Sequence, residues 1–177
     1  METIDVMMNR RSIRKYADKE IPREVVETIL KAGMAAPTAT NAREWSFVVV
    51  RDPETLNKMA DANGRAATPL KGAKLGILIC GDLERAFKGA PDYWIIDCAI
   101  AGENMTIAAE ALGLGSVWLG TWPQVEKVQG QRELFDLPEH IVPHSIIAFG
   151  YPAEGEAPGP RADRPDFEED RVHYEKW

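Results

Sequence analysis

Apolar residues in the first third of the chain recur at helical spacing. Ile4, Met7 and Met8 suggest a short N-terminal helix. Val25, Val26, Ile29 and Leu30 form a second apolar stripe, which Pro22 opens in a first helical turn and Pro37 ends. Ala35–Arg43 breaks the pattern and is expected to be a polar loop of small residues. Ser46–Val50 is β-branched and aromatic, which predicts a buried strand. Asp52-Pro53-Glu54 then predicts a helix start, with Asp52 as N-cap and Pro53 at the first helical position; Leu56, Met59 and Ala60 carry that helix on. Asn63–Lys74 follows neither period and is expected to be a loop.

Leu75–Cys80 predicts a second buried strand. Pro91–Leu112 is the longest helical candidate and is apolar over much of its circumference. A helix of that kind belongs at the centre of a fold or in an interface, and Gly113 is its natural stop. Ser116–Leu119 predicts a third strand, Pro123–Val128 and Gln131–Phe135 two short helical pieces, and His144–Phe149 a fourth strand closed by Gly150-Tyr151-Pro152. The tail from Ala153 is rich in proline, glycine and charge until Val172-His173-Tyr174-Glu175-Lys176-Trp177, whose aromatic content asks for a surface to dock on. Segment order of this kind points to a mixed, layered fold. No repeat or linker divides the chain, which reads as a single domain over residues 1–177.

Composition is that of an ordinary globular protein, with 45% hydrophobic and 28% charged residues among 177. A net charge of −7 disfavours nucleic acid and anionic membranes as partners. The two cysteines, Cys80 and Cys98, lie in apolar surroundings and suit buried thiols in a reducing compartment. They are too few for a thiolate metal site, and His140, His144 and His173 lack helical ligand spacing, so no metal is expected. With no signal peptide in Met1–Arg11 and no membrane-length apolar run, the protein is expected to be soluble and cytoplasmic.

Gly113-Leu114-Gly115 is not a dinucleotide fingerprint, because Trp118 stands where the third glycine belongs and the glycines follow a helix rather than a strand. The chain has no phosphate loop and no nucleophile elbow. No side-chain constellation carries chemistry by itself, which points to a cofactor. Three segments offer binding chemistry. Arg10, Arg11 and Arg14 stand around the Ser12 hydroxyl, a set suited either to a mononucleotide phosphate or to a solvated basic face. Ala35–Asn41 would let a flat ring approach the backbone, or is an ordinary helix-to-strand loop. Leu114–Gly120 is a tight turn and strand that could present backbone N–H groups, or a helix cap followed by a core strand.

In order and spacing, these segments resemble the FMN-dependent nitroreductase superfamily over nearly the whole chain, particularly its short members. Arg10-Arg11-Ser12-Ile13-Arg14-Lys15-Tyr16 resembles the family's R-R-S-x-R-x-[FY]. Ala36-Pro37-Thr38-Ala39-Thr40-Asn41 followed by Trp45 resembles A-P-[ST]-x-x-N-x-Q-P-W, with Arg43-Glu44 in place of the usual Gln-Pro. Glu110–Gly120 resembles E-A-x-G-L-G-[ST]-x-W-x-G, and Ala148-Phe149-Gly150-Tyr151-Pro152 with the proline-rich tail resembles the family's end.

The resemblance implies an α+β fold, a three-layer arrangement with a largely antiparallel four-stranded sheet and helices on both faces, intertwined as a homodimer. It implies bound FMN, with Arg10, Arg11 and Ser12 on the phosphate and ribityl chain and Arg14 at the pyrimidine edge. Pro37, Thr38, Ala39 and Asn41 would come from the second subunit, Leu119 and Gly120 would meet the N5/O4 edge through their backbone, and Arg161 and Arg164 would return to the phosphate. Residues 153–177 would embrace the partner subunit. The implied activity is ping-pong reduction of a nitroaromatic, quinone or similar small acceptor with NAD(P)H as donor. The alternative is an FMN carrier, sensor or flavin-consuming relative without such turnover.

Overall fold

The computed structural model describes residues 2–156, 159 and 167–177. Its helices are α1 (Thr3–Asn9), α2 (Arg23–Met34), α3 (Pro53–Asn63), α4 (Tyr93–Ala111) and α5 (Val125–Leu134). Its strands are β1 (Trp45–Val50), β2 (Leu75–Asp82), β3 (Gly115–Gly120) and β4 (Ile141–Gly150). The strands form one sheet in the order β1-β2-β4-β3, and every adjacent pair is antiparallel. The sheet is therefore wholly rather than largely antiparallel, with β1 and β3 as its edges.

Alternation along the central strands builds a core on each face. Ile77, Ile79, Ile147 and Phe149 pack against Val26 and Ile29 of α2 and Trp94, Cys98, Met105 and Ala109 of α4. Leu78, Cys80, Ile146 and Ala148 point the other way, onto Leu56, Met59 and Ala60 of α3 and Ala67 and Leu70 beyond it. Helices thus cover both faces, giving the three-layer α+β architecture. Asp52 caps α3 as expected, its carboxylate accepting the Thr55 N–H at 2.8 Å with Pro53 at the first turn. No helix among the described residues is long and apolar enough to cross a membrane.

Two local expectations need correction. Asn63–Lys74 is not a free loop: α3 runs to Asn63, and Arg65–Gly72 forms a 3₁₀ helix. Ala67, Leu70 and Ala73 are buried at intervals of three, the period of that helix, and Pro69 within it masks any α-helical pattern. The two pieces expected on either side of Gly130 are one helix, α5. A Cβ at Gly130 would lie 3.2 Å from both the Cβ and the carbonyl oxygen of Ala62. The glycine permits close packing of α5 on α3 rather than ending the helix.

Helix α4 passes through the middle of the molecule and is apolar on both sides. One side, including Trp94, Cys98, Ala101, Met105 and Ala109, is buried; on the other, Tyr93 and Ile96 remain exposed. Ile4, Met7 and Met8 of α1 are exposed as well. At the C-terminal end, Phe167, Tyr174 and Trp177 are exposed, with the Trp177 and His173 rings tilted against each other at 4.3 Å between centroids.

Candidate functional site

The arginine-rich segment leaves α1 and lies along the edge of β3. The Ile13 N–H donates to the Ser116 carbonyl at 2.9 Å, and Ser12 forms a parallel bridge with Ser116. Tyr16 bridges to Pro152, and its hydroxyl donates to the Ile13 carbonyl at 2.8 Å. Burial keeps that phenol protonated far above its ordinary range. Two glycines paired across β3 and β4 make room for the segment: a Cβ at Gly115 would strike Ile13, and one at Gly150 would strike the Tyr16 ring. Ile13 is thereby buried while Arg11, Ser12 and Arg14 face outward.

Arg10 is the inward member of the group. Its Nε stands 3.2 Å from a Glu103 carboxylate oxygen on α4. Glu110, two turns further along α4, is buried, and burial raises its pKa with Arg10 partly opposing. Arg14 is exposed and donates to the Ser12 carbonyl at 3.2 Å.

Leu119 and Gly120 end the strand that Ser116 begins, roughly 13 Å away by strand rise. Leu119 is buried and Gly120 exposed. A Cβ on Gly120 would meet nothing within 4 Å, so its outer face is open. Its carbonyl accepts from Asn63 Nδ2 at 3.2 Å and from Lys127 Nζ at 3.3 Å. Thr121 Oγ1 donates to Asn63 Oδ1 at 2.8 Å, which fixes the wholly buried Asn63 amide. Beside Lys127 opens a cleft of about 490 Å³, lined by Asp61, Gly64, Gln124 and Val125 among others.

Pro37, Thr38, Ala39 and Asn41 are not beside these residues. They precede β1, at the opposite edge of the sheet, three strand spacings or about 14 Å from β3. The structure therefore brings Arg10–Arg14 and Leu119–Gly120 to one edge and the small-residue loop to the other. The loop is not the smooth turn its composition suggests. Thr40, Asn41 and Arg43 have φ of 51°, 58° and 53°, left-handed values that cost non-glycine residues about 1 kcal/mol or more each. It is held by the Ala39 N–H donating to Asp97 Oδ2 at 2.8 Å and the Arg43 N–H donating to Thr38 Oγ1 at 3.0 Å. Arg161 and Arg164 lie outside the described residues.

Several polar groups here are not among the site residues that the sequence points to. Glu44, one of the pair standing where Gln-Pro is usual, is fully buried, and both of its carboxyl oxygens lack a hydrogen-bond donor. Arg43 instead turns outward over the Trp45 ring at 5.2 Å. Burial, with Asp97 beside it, raises the Glu44 pKa. His144 is buried edge-on between Trp94 and Trp118, at 5.9 and 6.1 Å, and burial pushes its pKa down to about 4. Cys80 and Cys98 are buried free thiols; burial pushes Cys80 up to about 12 and Cys98 higher still. Neither is an available thiolate.

The nitroreductase family model matches residues 7–80 and 65–151 of the chain. A Methanothermobacter thermautotrophicus protein, provisionally named NADH dehydrogenase/NAD(P)H nitroreductase, is 43% identical over 177 residues, covering 100% of this chain and 88% of its own. An FMN-dependent nitroreductase from Clostridium difficile superposes with a TM-score of 0.88 at 32% identity, covering 98% of this chain and 99% of that one. A Desulfovibrio desulfuricans protein provisionally described as a nitroreductase, solved in complex with FMN, gives 0.81 at 30% identity, over 100% of this chain and 98% of its own. With the arginine segment lodged on β3 and the four-stranded sheet between helical layers, these matches agree on one assignment: the chain belongs to the nitroreductase family.

Proposed function

We propose that the protein is an FMN-dependent NAD(P)H oxidoreductase, working as a homodimer and reducing a nitroaromatic, quinone or similar small acceptor. The observation that carries this reading is the placement of Arg10, Arg11, Ser12 and Arg14 along the β3 edge that ends at the open face of Gly120, in a chain of this family.

The donor set suits FMN. Guanidinium groups and a hydroxyl match a phosphate monoester in charge and geometry. Arg10 already holds a carboxylate, that of Glu103, so its fork is turned toward an anion-binding position. Arg10, Arg11 and Ser12 would hold the phosphate and ribityl chain, with Arg161 and Arg164 returning to the phosphate. Leu119 and Gly120 would meet the N5/O4 edge, where the absence of a Cβ permits close approach to the Gly120 backbone. FMN held there would supply the redox chemistry between NAD(P)H and the acceptor. Arg14 would place a fixed positive charge at the pyrimidine edge, an electrostatic role. No protein acid or base is required, because water can supply protons.

Pro37, Thr38, Ala39 and Asn41 would cover the flavin of the other subunit. Their separation from Gly120 within one chain supports that division. So do the exposed apolar residues of α1 and α4, which suit an isologous interface. The exposed aromatic end, with the rest of 153–177, would dock on the partner.

The test begins with the absorption spectrum of the purified protein and an FMN titration. Arg10→Ala should weaken FMN binding by about 1.5–3 kcal/mol, the worth of a charge-assisted hydrogen bond, while Arg23→Ala, outside the motif, should not. Undiminished binding by Arg10→Ala would remove the phosphate assignment. Steady-state NAD(P)H oxidation with and without an acceptor then separates an oxidoreductase from an FMN carrier.

A further inference from the structure

A buried carboxyl pair, Glu44 and Asp97, lies beneath the 38–43 loop. Glu44 immediately precedes β1, and its backbone carbonyl accepts the Asp82 N–H at 2.5 Å. Its side chain is fully enclosed and meets the carboxyl of Asp97 on α4, itself only 4% exposed. Two ionised carboxylates cannot hydrogen-bond to each other, since both only accept. Among the described residues, no side chain donates to either Glu44 oxygen; only its own backbone N–H lies near the carboxyl. Asp97, in contrast, has a donor, the Ala39 N–H.

The charged and titratable surroundings do not supply the missing partner. From α4 the pair faces the Cys98 thiol, held protonated by burial. Arg43 lies over Trp45 on the exposed side. Among the described residues, a doubly ionised pair would therefore face no compensating cation, a costly arrangement.

We propose that Glu44 and Asp97 share one proton, and that this acid–carboxylate hydrogen bond positions the 38–43 loop. The proton resides on Glu44, whose O–H donates to Asp97; the Asp97 carboxylate also accepts the Ala39 N–H. The chain of contacts runs Glu44 O–H to Asp97 to Ala39, and fixes the backbone of a loop carrying three left-handed non-glycine residues. Acidic solution supplies the proton, and alkaline solution removes it to water, leaving two like charges in contact below the loop. Glu44 and Asp97 are positioning residues. Their consequence for FMN rests on the proposed flavin site; the shared proton itself does not.

Infrared spectroscopy tests the proton directly. At neutral pH the wild type should show the carbonyl stretch of a protonated carboxylic acid. Glu44→Gln should lose that band, while Glu110→Gln, altering the other buried glutamate, should keep it. A wild type without the band, or a Glu44→Gln protein that retains it, overturns the proposal. Raising the pH of the wild type must also remove the band, so a poorly folding variant does not end the test.

FMN affinity, followed by flavin fluorescence against pH, reads the positioning. The wild type should lose affinity by about tenfold as the pair ionises. Glu44→Gln keeps a donor with no proton to lose and should bind with the wild-type affinity of neutral pH without that alkaline fall. Glu44→Ala should bind more weakly throughout. Identical pH profiles for wild type and Glu44→Gln would overturn the positioning role. Failure of both to bind FMN at any pH would overturn the flavin site, and the infrared result would still decide the shared proton.

Discussion

Gly102→Ala sets two effects against each other in the middle of α4. Alanine is the better helix former by about 1 kcal/mol at an interior position. Its Cβ, however, would overlap the six-membered ring of Trp118 and stand 2.9 Å from Ile79 Cδ1. Trp118 has little freedom to withdraw, because its ring meets the buried His144 edge-on at 6.1 Å. Overpacking a core of this kind costs about 1–3 kcal/mol. With a rigid indole as the obstacle, the upper part of that range applies, for a net loss of about 1–2 kcal/mol. Gly33→Ala on α2 is the control, since it carries the same propensity gain but its Cβ would press on the end of Met105, a flexible side chain. The assay is thermal denaturation at one fixed protein concentration, because the proposed dimer would couple stability to concentration. In a chain of this size the loss from Gly102→Ala corresponds to a Tm drop of roughly 2–8 °C, with Gly33→Ala near or above wild type. A Gly102→Ala protein as stable as Gly33→Ala would refute the argument that the indole, rather than helix propensity, decides the site.

Three further outcomes are expected. Burial holds the His144 pKa at about 4 against an ordinary 6.5, so the unfolded chain takes up the proton first as pH falls; stability should decline from near pH 6.5 toward pH 4 by up to ~3 kcal/mol, and denaturation of His144→Gln should show a shallower decline over that window. Arg14→Met should lower the flavin midpoint potential in a redox titration while leaving the fold intact, and an unchanged potential with FMN bound would place Arg14 away from the pyrimidine edge. Deleting Val172–Trp177 should weaken dimerisation and FMN binding together, as followed by analytical ultracentrifugation at a flavin band; a wild-type monomer that retains FMN would defeat the shared site.

The strands and long helices were legible because their patterns are local. The continuous apolar runs of β2 and β4 and the apolar character of α4 both survive in the folded chain. The Asp52-Pro53 helix start was legible for the same reason, its cap being made within four residues. The arginine segment could be read as a chemical set, but not its partner Glu103, which lies across the fold on α4. Glu44 and Asp97 illustrate the harder limit. Each is an ordinary acidic residue in sequence, and only the packing of α4 beneath the loop makes them neighbours. The 3₁₀ stretch is hard to read because its apolar interval of three is short and contains a proline, and the continuity of α5 is hidden because its packing on α3 through Gly130 is a contact across the fold.

The glycine pair Gly115 and Gly150 has a consequence for solubility. Strand β3 is an edge, and an edge presents backbone groups that can recruit a strand from another molecule. Because neither glycine carries a Cβ, Ile13 and Tyr16 can lie close enough for Ile13 to occupy the Ser116 carbonyl. Arg11 and Arg14 then face outward from that covered edge, where like charges on two molecules would repel. A side chain at either glycine would lift the segment and uncover the edge. The damage would then extend beyond ligand binding, because the segment proposed to grip the phosphate is also the one that keeps β3 from templating aggregation.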